Sequence, residues 1–409
     1  MRKLLLILAA LSFACKKPPE PAKSNITVGA TLPLTGAEAR IGGFYKEGYE
    51  LAFEQQNAKG GLSLGGKQVP VTLILQDDTS TQATAVALAD QLINSAKVDA
   101  LLGTYSSHLV EAQSAIAEEN RIPYVNGGGG ATEIYQRNYK YLFGLMAPVE
   151  LLGQALMGWI DDQQSQGKLP KPAKISLVWE NTAHGKDFRK GVTDFAAKHT
   201  GQYEVVVDES FELSAKDFSA LLNKVKASNA DVFLADAHLP DYITMHRQYV
   251  TAGLCQKVVS YGARGSEKQA AEALGQKNVE YVLSAVWWNR QLGTKGLTRE
   301  FVDAFEAKYK RAPEWYQALA YETARALFTA LEQAGSADKE KVREKLASLS
   351  ADSILPEGKL SFPAAQGQQA HYAFVVQQNQ PDGTSPIVWP KTVANAAGVA
   401  PNPDCAAAK

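Results

Sequence analysis

The stretch NITVGATLPLTGAEARIGGFYKEGYELAFEQQNAKGG, residues 25–61, determines the fold class. Residues 26–32 form a short apolar run of the length of a buried strand. After the loop at Gly36, apolar residues recur at helical spacing over 42–57, and a pair of glycines ends the helix. A strand followed directly by an amphipathic helix is the repeating unit of parallel α/β sheets.

The same alternation of strand and helix continues along the chain. The further predicted strands are residues 69–76, 98–102, 122–125, 175–179, 203–207, 232–235, 258–261 and 279–286. The further predicted helices are residues 81–95, 110–120, 187–199, 218–228, 298–309 and 315–334. Because the rhythm restarts near Lys174, we predict two doubly wound parallel-sheet lobes, each covered by helices on both faces. Ligands bind beyond the carboxyl ends of such strands, so the two lobes are expected to share one cleft.

Length and charge restrict the classes of function. A chain of 409 residues exceeds one ordinary core, which supports two lobes. The formal net charge of -1 argues against a nucleic-acid-binding surface or a strongly basic face that docks on membranes. The sequence contains no GxSxG elbow, no HExxH motif and no P-loop lysine, so we predict neither an enzyme nor a cofactor.

The N-terminus predicts export from the cytoplasm. Two basic residues precede an apolar run over 4–11 that is too short to span a bilayer, a pattern typical of a signal peptide over residues 1–14. Small residues then precede Cys15. A signal peptide that ends at a cysteine resembles the bacterial lipoprotein signal, in which the cysteine is acylated. Ser12 stands where that signal usually has leucine, so cleavage as an ordinary secretory signal remains the alternative.

The segment after the signal is typical of a flexible tether. Residues 15–24 are rich in Pro, Lys and Ala. We therefore predict a periplasmic or cell-surface protein attached to the membrane through Cys15. The chain has three cysteines, too few for a disulfide framework and without a CxxC pair. In an oxidising compartment Cys255 and Cys405 either pair or leave Cys255 free and buried, and the sequence leaves both open.

Several short motifs follow one another over nearly the whole chain after the signal. They are PLTG at 33–36, NAKGG at 57–61, QDD at 76–78, GTYSS at 103–107, AHG at 183–185, AGL at 252–254 and GKLSF at 358–362. Their order and spacing resemble the branched-chain amino acid (Leu/Ile/Val) binding family of ABC importers, the type I periplasmic binding proteins.

The resemblance implies a two-lobe fold with a three-strand hinge. We expect the crossings near Met146, Ser284 and Gln366. The expected N-terminal lobe comprises residues 25–146 and 285–365, and the C-terminal lobe comprises residues 147–284 and 366–409. The resemblance also implies a monomer that binds a small molecule without reacting with it and docks on the membrane permease subunits of an importer.

The loop after the strand at 98–102 is the first candidate ligand contact. Ser106 and Ser107 start a helix, where a hydroxyl and free backbone N–H groups hold a carboxylate well. In the family, the position of Ser107 binds the carboxylate of the ligand; the alternative is that Ser107 only caps the helix. Family positions also place Tyr105 and Tyr316 at the cleft.

The glycine run NGGGG at 126–130 follows the next strand. Gly128 and Gly130 allow the backbone to approach a ligand closely, although a flexible turn is the alternative. At the position of Gly130 the family usually has Thr or Ser, so the glycine keeps only backbone contacts.

Two histidines and an arginine are the candidates from the second lobe. His184 and His238 stand where the family commonly has tyrosines. Their spacing offers no third ligand for a metal ion, so we predict no metal site. Arg264 aligns with an acidic residue that faces the ammonium of the ligand in the family, a role that an arginine cannot fill. Either the solute lacks a plain ammonium there or carries an extra acidic or carbonyl group for Arg264, or the loop is shifted by a residue or two and Arg264 faces solvent.

We therefore expect an importer receptor for a small carboxylate-bearing solute, amino acid or related organic acid. A ligand-sensing domain that responds to amides or aromatic acids is the alternative. Since the chain carries no fused output domain and has a lipoprotein-like signal, transport is favoured over sensing.

Overall fold

The computed structural model describes residues 23–293 and 296–406. The predicted signal peptide, Cys15 and most of the predicted tether lie outside the described residues. The strands are β1 (Ile26–Leu32), β2 (Leu62–Leu64), β3 (Lys67–Val69), β4 (Val71–Asp77), β5 (Ala100–Leu102), β6 (Tyr124–Asn126), β7 (Leu142–Gly144), β8 (Ala173–Glu180), β9 (Tyr203–Phe211), β10 (Val232–Asp236), β11 (Val258–Tyr261), β12 (Leu283–Val286), β13 (Ser350–Asp352), β14 (Lys359–Ser361), β15 (Val375–Gln378) and β16 (Ile387–Trp389).

The helices connect these strands in an alternating order. They are α1 (Ala39–Ala58), α2 (Gln82–Asn94), α3 (Ser107–Glu119), α4 (Val149–Ser165), α5 (Ala183–Lys198), α6 (Ser219–Ala227), α7 (Leu239–Thr251), α8 (Lys268–Leu274), α9 (Gln276–Val279), α10 (Gly296–Tyr309), α11 (Trp315–Ala334), α12 (Lys339–Ala347) and α13 (Pro403–Ala406). Within the described ranges, none of these helices combines the length and the apolar character that crossing a bilayer requires.

The first lobe is built on a five-stranded parallel sheet in the order β4-β1-β5-β6-β7. Alternate residues of β1 point to opposite faces, so Val28 packs into the core shared with α1 and α11. The position of Gly29 instead faces Leu92 of α2 and Leu101. Both faces of the sheet are therefore covered, as predicted for a doubly wound lobe.

The second lobe is built on a seven-stranded sheet in the order β16-β15-β12-β11-β10-β8-β9. Strands β8 to β12 are parallel, whereas β15 and β16 form an antiparallel edge beside β12. The predicted α/β class with two parallel-sheet lobes is confirmed, with this antiparallel edge as the difference. This edge arises because the chain, after it returns from the first lobe, forms a hairpin of β15 and β16 beside β12.

Three segments connect the lobes. The first follows β7 and contains Met146, and the second follows β12. The boundary expected between residues 284 and 285 falls inside β12, so this crossing begins after Val286. The third precedes β15. There Gln368 donates hydrogen bonds to the first lobe, including 2.7 Å to the carbonyl oxygen of Leu142, so the chain at residue 366 has not yet left that lobe.

Two local differences from the predicted elements have simple causes. The strand predicted at 69–76 is divided into β3 and β4 because Pro70 has no N–H for a ladder. The helix predicted at 187–199 begins four residues earlier as α5, where the hydroxyl oxygen of Thr182 accepts a hydrogen bond of 3.1 Å from the Gly185 N–H. His184 consequently lies in the first turn of α5.

A disulfide joins Cys255 to Cys405, with Cα atoms 5.3 Å apart. Of the two alternatives that the sequence left open, the structure has the paired one. Because Cys255 follows α7 and Cys405 lies in α13, the bond attaches the C-terminal segment to the second lobe.

Candidate ligand-binding cleft

A cavity of about 220 Å³ lies where the two lobes meet at the carboxyl ends of their strands. Seven of the nine predicted ligand contacts line it, namely Tyr105, Ser106, Ser107, Gly128, His184, His238 and Arg264. The other two, Gly130 and Tyr316, are buried next to these residues but do not line the cavity. Residues separated by up to 159 positions are thus brought to one site.

Ser107 is buried at the start of α3 with its hydroxyl directed at the glycine loop. The hydroxyl oxygen accepts hydrogen bonds from the N–H groups of Gly130 at 3.2 Å and Ala131 at 3.4 Å. The hydroxyl oxygen is therefore occupied as an acceptor, while its own O–H remains to donate to a bound group. Backbone N–H groups at the start of α3 add a preference for an anion.

The glycine loop packs too closely against its neighbours for larger side chains. A Cβ atom on Gly128 would clash with the carbonyl oxygen of Thr104. Gly130 uses both backbone groups within the protein, because its N–H donates to Ser107 and its carbonyl oxygen accepts from Gln369 at 3.1 Å. The loop thus forms part of the wall of the cavity. Gly130 contributes to that wall indirectly, because its N–H holds the hydroxyl of Ser107 in place.

His238 and Glu180 form a buried ion pair in the wall from the second lobe. His238 Nδ1 donates to Glu180 Oε2 over 2.6 Å, and the backbone N–H of His238 donates to the same oxygen. Burial disfavours both charges, but the mutual attraction outweighs it. The pKa of His238 is therefore raised and that of Glu180 is lowered, and Glu38 of the first lobe, 3.9 Å from His238 Nε2, adds to the first effect.

His184 has a carboxylate partner of its own. Its Nδ1 lies 2.8 Å from Oδ2 of Asp236, the last residue of β10. Together with Glu180, these residues place three potential metal-ligand atoms within 4.8 Å of one another. Sequence spacing offered the histidines no third ligand, whereas the fold brings two carboxylates to them.

Arg264 is enclosed by aromatic rings rather than by solvent. Only 5% of it is exposed, and its guanidinium lies 5.2 to 5.9 Å from the ring centres of Tyr105, Trp315 and Tyr316. Nη2 donates to the Tyr105 hydroxyl, and Nε lies 3.5 Å from Glu267. Nη1 has no hydrogen-bond partner among the described residues. The interpretation of Arg264 as a solvent-facing residue is therefore wrong.

Glu267 is buried between Arg264 and the first lobe. The Tyr316 hydroxyl donates to its Oε1 over 2.5 Å. Burial raises the pKa of Glu267 to about 7, although the charge of Arg264 opposes the shift. Arg264–Tyr105 and Tyr316–Glu267 both join one lobe to the other, so this cluster holds the lobes together beside the cavity.

Sequence reasoning missed several charged or titratable groups of this site, among them the four that follow. Glu180 and Asp236 are the last residues of β8 and β10, and such a strand-end position was the available signal. His108 also lines the cavity, one residue after the predicted pair of serines. Glu267 carried no signal in the sequence, because its role arises from its contact with α11.

The comparisons with known proteins agree with this architecture. The model of a family described as periplasmic binding protein matches residues 25–384. The chain belongs to this family. Leu/Ile/Val-binding protein homolog 8 of Brucella suis is 28% identical over 402 residues, which cover 95% of this chain and 97% of that relative. The family predicted from the sequence motifs is confirmed.

Solved periplasmic binding proteins share the fold. The leucine-binding protein LivK of Thermotoga maritima is 21% identical with a TM-score of 0.77, and the match covers 88% of this chain and 97% of that one. LivJ of Streptococcus pneumoniae, in complex with isoleucine, is 20% identical with a TM-score of 0.75 and coverages of 90% and 100%. A solute-binding protein of R. palustris in complex with benzoate is 23% identical with a TM-score of 0.74 and coverages of 92% and 98%.

Proposed function

We propose that this periplasmic binding protein is the extracytoplasmic receptor of an ABC importer and binds a small carboxylate-bearing solute between its lobes. The O–H of Ser107 carries the proposal, because this hydroxyl is held in place by two backbone N–H groups and retains its donor for the solute. The ligands in the isoleucine and benzoate complexes of the similar structures both have a carboxylate.

Arg264, which lines the cavity from the second lobe, restricts the class of solute that can bind. Arg264 is a buried cation whose Nη1 is without a partner in the described part of the chain. A second acidic or carbonyl group of the solute would satisfy that donor, whereas an ammonium beside it would be repelled. We therefore favour organic acids without an ammonium near Arg264 over leucine-like amino acids.

Solute binding is proposed to close the lobes about the three connecting segments, a shift of population toward the closed state. The closed form would then dock on the permease subunits of the importer as a monomer. Acylation of Cys15 is proposed to hold the receptor at the membrane. Release of a Cys15→Ser variant into the soluble fraction would support the anchor, and continued membrane association would contradict it.

The test is a thermal-shift screen of the purified protein against amino acids, dicarboxylates, aromatic acids and amides. A ligand at 100 times its Kd adds about 2.7 kcal/mol to the free energy of unfolding. Ser107→Ala should reduce affinity for the selected carboxylate by about 1 kcal/mol or more, roughly five-fold, because a charge-assisted hydrogen bond is lost.

Ser114→Ala is the matched control, since its hydroxyl lies on the same helix and donates to the carbonyl oxygen of Glu111. It should leave affinity unchanged. Equal affinity of the Ser107→Ala variant and the unmodified protein would contradict the carboxylate assignment. Binding of amides alone would favour a sensing role and contradict the proposal.

A further inference from the structure

His238 and Glu38 face each other across the cleft without a direct hydrogen bond. Nε2 of His238, from the second lobe, lies 3.9 Å from Oε1 of Glu38, from the first lobe. A hydrogen bond between nitrogen and oxygen is shorter, at about 2.7–3.2 Å. Both side chains are largely buried, with 10% and 15% of their surface exposed. The two atoms therefore bound a narrow space between the lobes, which we call the His238–Glu38 gap.

The two groups that bound the gap need a further partner. The imidazole of His238 makes its hydrogen bond through Nδ1, to Glu180. The carboxylate of Glu38 does not cap α1, the helix that it precedes. Buried polar groups in folded proteins are almost always hydrogen-bonded. A molecule that lies in the gap can satisfy both Nε2 and Oε1.

The gap presents a donor on one side and an acceptor on the other. Burial disfavours a charged imidazole, but the carboxylates of Glu180 and Glu38 outweigh burial and raise the pKa of His238 to about 9. Nε2 consequently carries a proton near neutral pH and donates it to a hydrogen bond. The carboxylate of Glu38 can only accept.

A single hydroxyl oxygen fits this gap. An atom about 2.8 Å from each of two atoms that are 3.9 Å apart makes an angle of roughly 90° with them. That atom must accept from His238 and donate to Glu38, and a hydroxyl group does both through one oxygen.

Other polar groups of a solute fit the gap less well. A carboxylate or carbonyl oxygen has no proton for Glu38, and an amide divides its donor and acceptor between two atoms. An ammonium group has no lone pair for His238, and the guanidinium of Arg264, which lines the same cavity as His238, also repels it. A hydroxyl group carries no charge and is compatible with all three side chains.

We propose that His238 and Glu38 bind a hydroxyl group, so that the solute is a hydroxylated carboxylic acid. The inference rests on the proposed function, because Ser107 lines the same cavity as His238 and would hold the carboxylate of that acid. It adds Glu38 to the site as a residue that determines specificity.

Calorimetric titration with paired acids that differ by one hydroxyl group tests the inference. The pairs are lactate with propionate, malate with succinate, mandelate with phenylacetate, and 4-hydroxybenzoate with benzoate. In at least one pair, the hydroxylated acid should bind at least about ten-fold more tightly, because the other acid leaves two charged groups without a partner. If no pair shows this preference, water rather than the solute occupies the gap and the inference is overturned.

Glu38→Ala tests the assignment of the hydroxyl group to the gap. The variant should fold, since the side chain of Glu38 does not cap α1. The preference for the hydroxylated acid should fall below about three-fold, because its acceptor is lost. His238→Gln should lower the same ratio of affinities. Ser107→Ala should instead weaken both acids of a pair equally and leave the ratio unchanged.

Glu50→Ala is the matched control variant. Glu50 lies in α1, pairs with Lys46 over 3.7 Å and does not line the cleft cavity. Its ratio of affinities should equal that of the unmodified protein. The inference is overturned if the preference survives in Glu38→Ala, or if Glu50→Ala lowers the preference as much as Glu38→Ala does.

The two proposals fail in different ways. If plain and hydroxylated acids bind equally well, with affinities that depend on Ser107, the carboxylate receptor stands and the hydroxyl inference falls. If glycerol or propane-1,2-diol binds with an affinity that depends on Glu38, while none of the acids binds, the hydroxyl subsite stands and the carboxylate receptor falls.

Discussion

At the scale of single residues, the fold shifts the pKa of Glu267 into a range that is convenient for experiments. It is buried, accepts a hydrogen bond from Tyr316 and lies beside Arg264. Its pKa is about 7 in the folded protein, against an ordinary value of 4.5. Between these two pH values the folded protein keeps a proton that the unfolded chain releases, so the contribution of Glu267 to the free energy of unfolding falls as pH rises.

We expect Glu267→Gln to remove this dependence. Relative to the unmodified protein, the free energy of unfolding of the variant should rise by about 3 kcal/mol between pH 4.5 and pH 7, because the amide has no proton to lose. Urea denaturation at several pH values measures the difference. The exposed Glu272→Gln is the control and should show no such trend; parallel pH profiles for Glu267→Gln and the unmodified protein would contradict the assignment.

The sequence predicted single residues at this site where the end of a strand coincides with a position that contacts the ligand in the family. Ser107, His184, His238 and Arg264 were found in this way, and all four line the cavity. Glu180, Asp236 and Glu267 were not, because each acts through a partner distant in sequence. Glu267, for example, meets Tyr316 across 49 positions, and no local pattern encodes such a pairing.

At the scale of elements, the packing of α1 on α11 depends on a close approach of the two helices. A Cβ atom on Gly48 would lie 2.5 Å from the carbonyl oxygen of Gln317 and 2.7 Å from the Cβ of Ala320. The helical spacing of residues 42–57 predicted α1 and its buried face. The small residue at position 48 is explained only by its partner helix, which lies about 270 positions later.

Gly48→Ala should therefore destabilise the protein by about 1–3 kcal/mol, because the added methyl forces the helices apart. Gly43→Ala in the same helix is the control. Its added Cβ meets nothing within 4 Å, so higher helix propensity should stabilise the protein by up to about 1 kcal/mol. Chemical denaturation compares the two; a stabilising Gly48→Ala would refute the close approach.

At the scale of the whole molecule, one covalent bond closes a very long loop. The Cys255–Cys405 disulfide joins residues 150 positions apart. Within the loop that it closes, the chain crosses from the second lobe to the first lobe and back again. The chain-entropy model assigns a loop of this length up to about 5 kcal/mol of stabilisation. The sequence predicted an oxidising compartment for both cysteines, but their proximity depends on the complete fold.

We expect the double variant Cys255→Ser, Cys405→Ser to unfold with a free energy lower by up to about 5 kcal/mol. Solute affinity should be unchanged, since neither cysteine lines the cleft cavity. Thermal unfolding and ligand titration of the double variant check both statements. A large loss of affinity at unchanged stability would mean that the bond acts on the cleft instead.

The passage of the chain through both lobes also sets the order in which they can fold. The first lobe needs α11, which ends at Ala334, and the second needs β16, which ends at Trp389. During synthesis at about 5–20 residues per second, the strands made first wait on the order of a minute or less for the segments that cover them. Until those segments are made, the apolar strands of the first lobe have no complete cover, so we expect the nascent chain to stay loosely folded for that time.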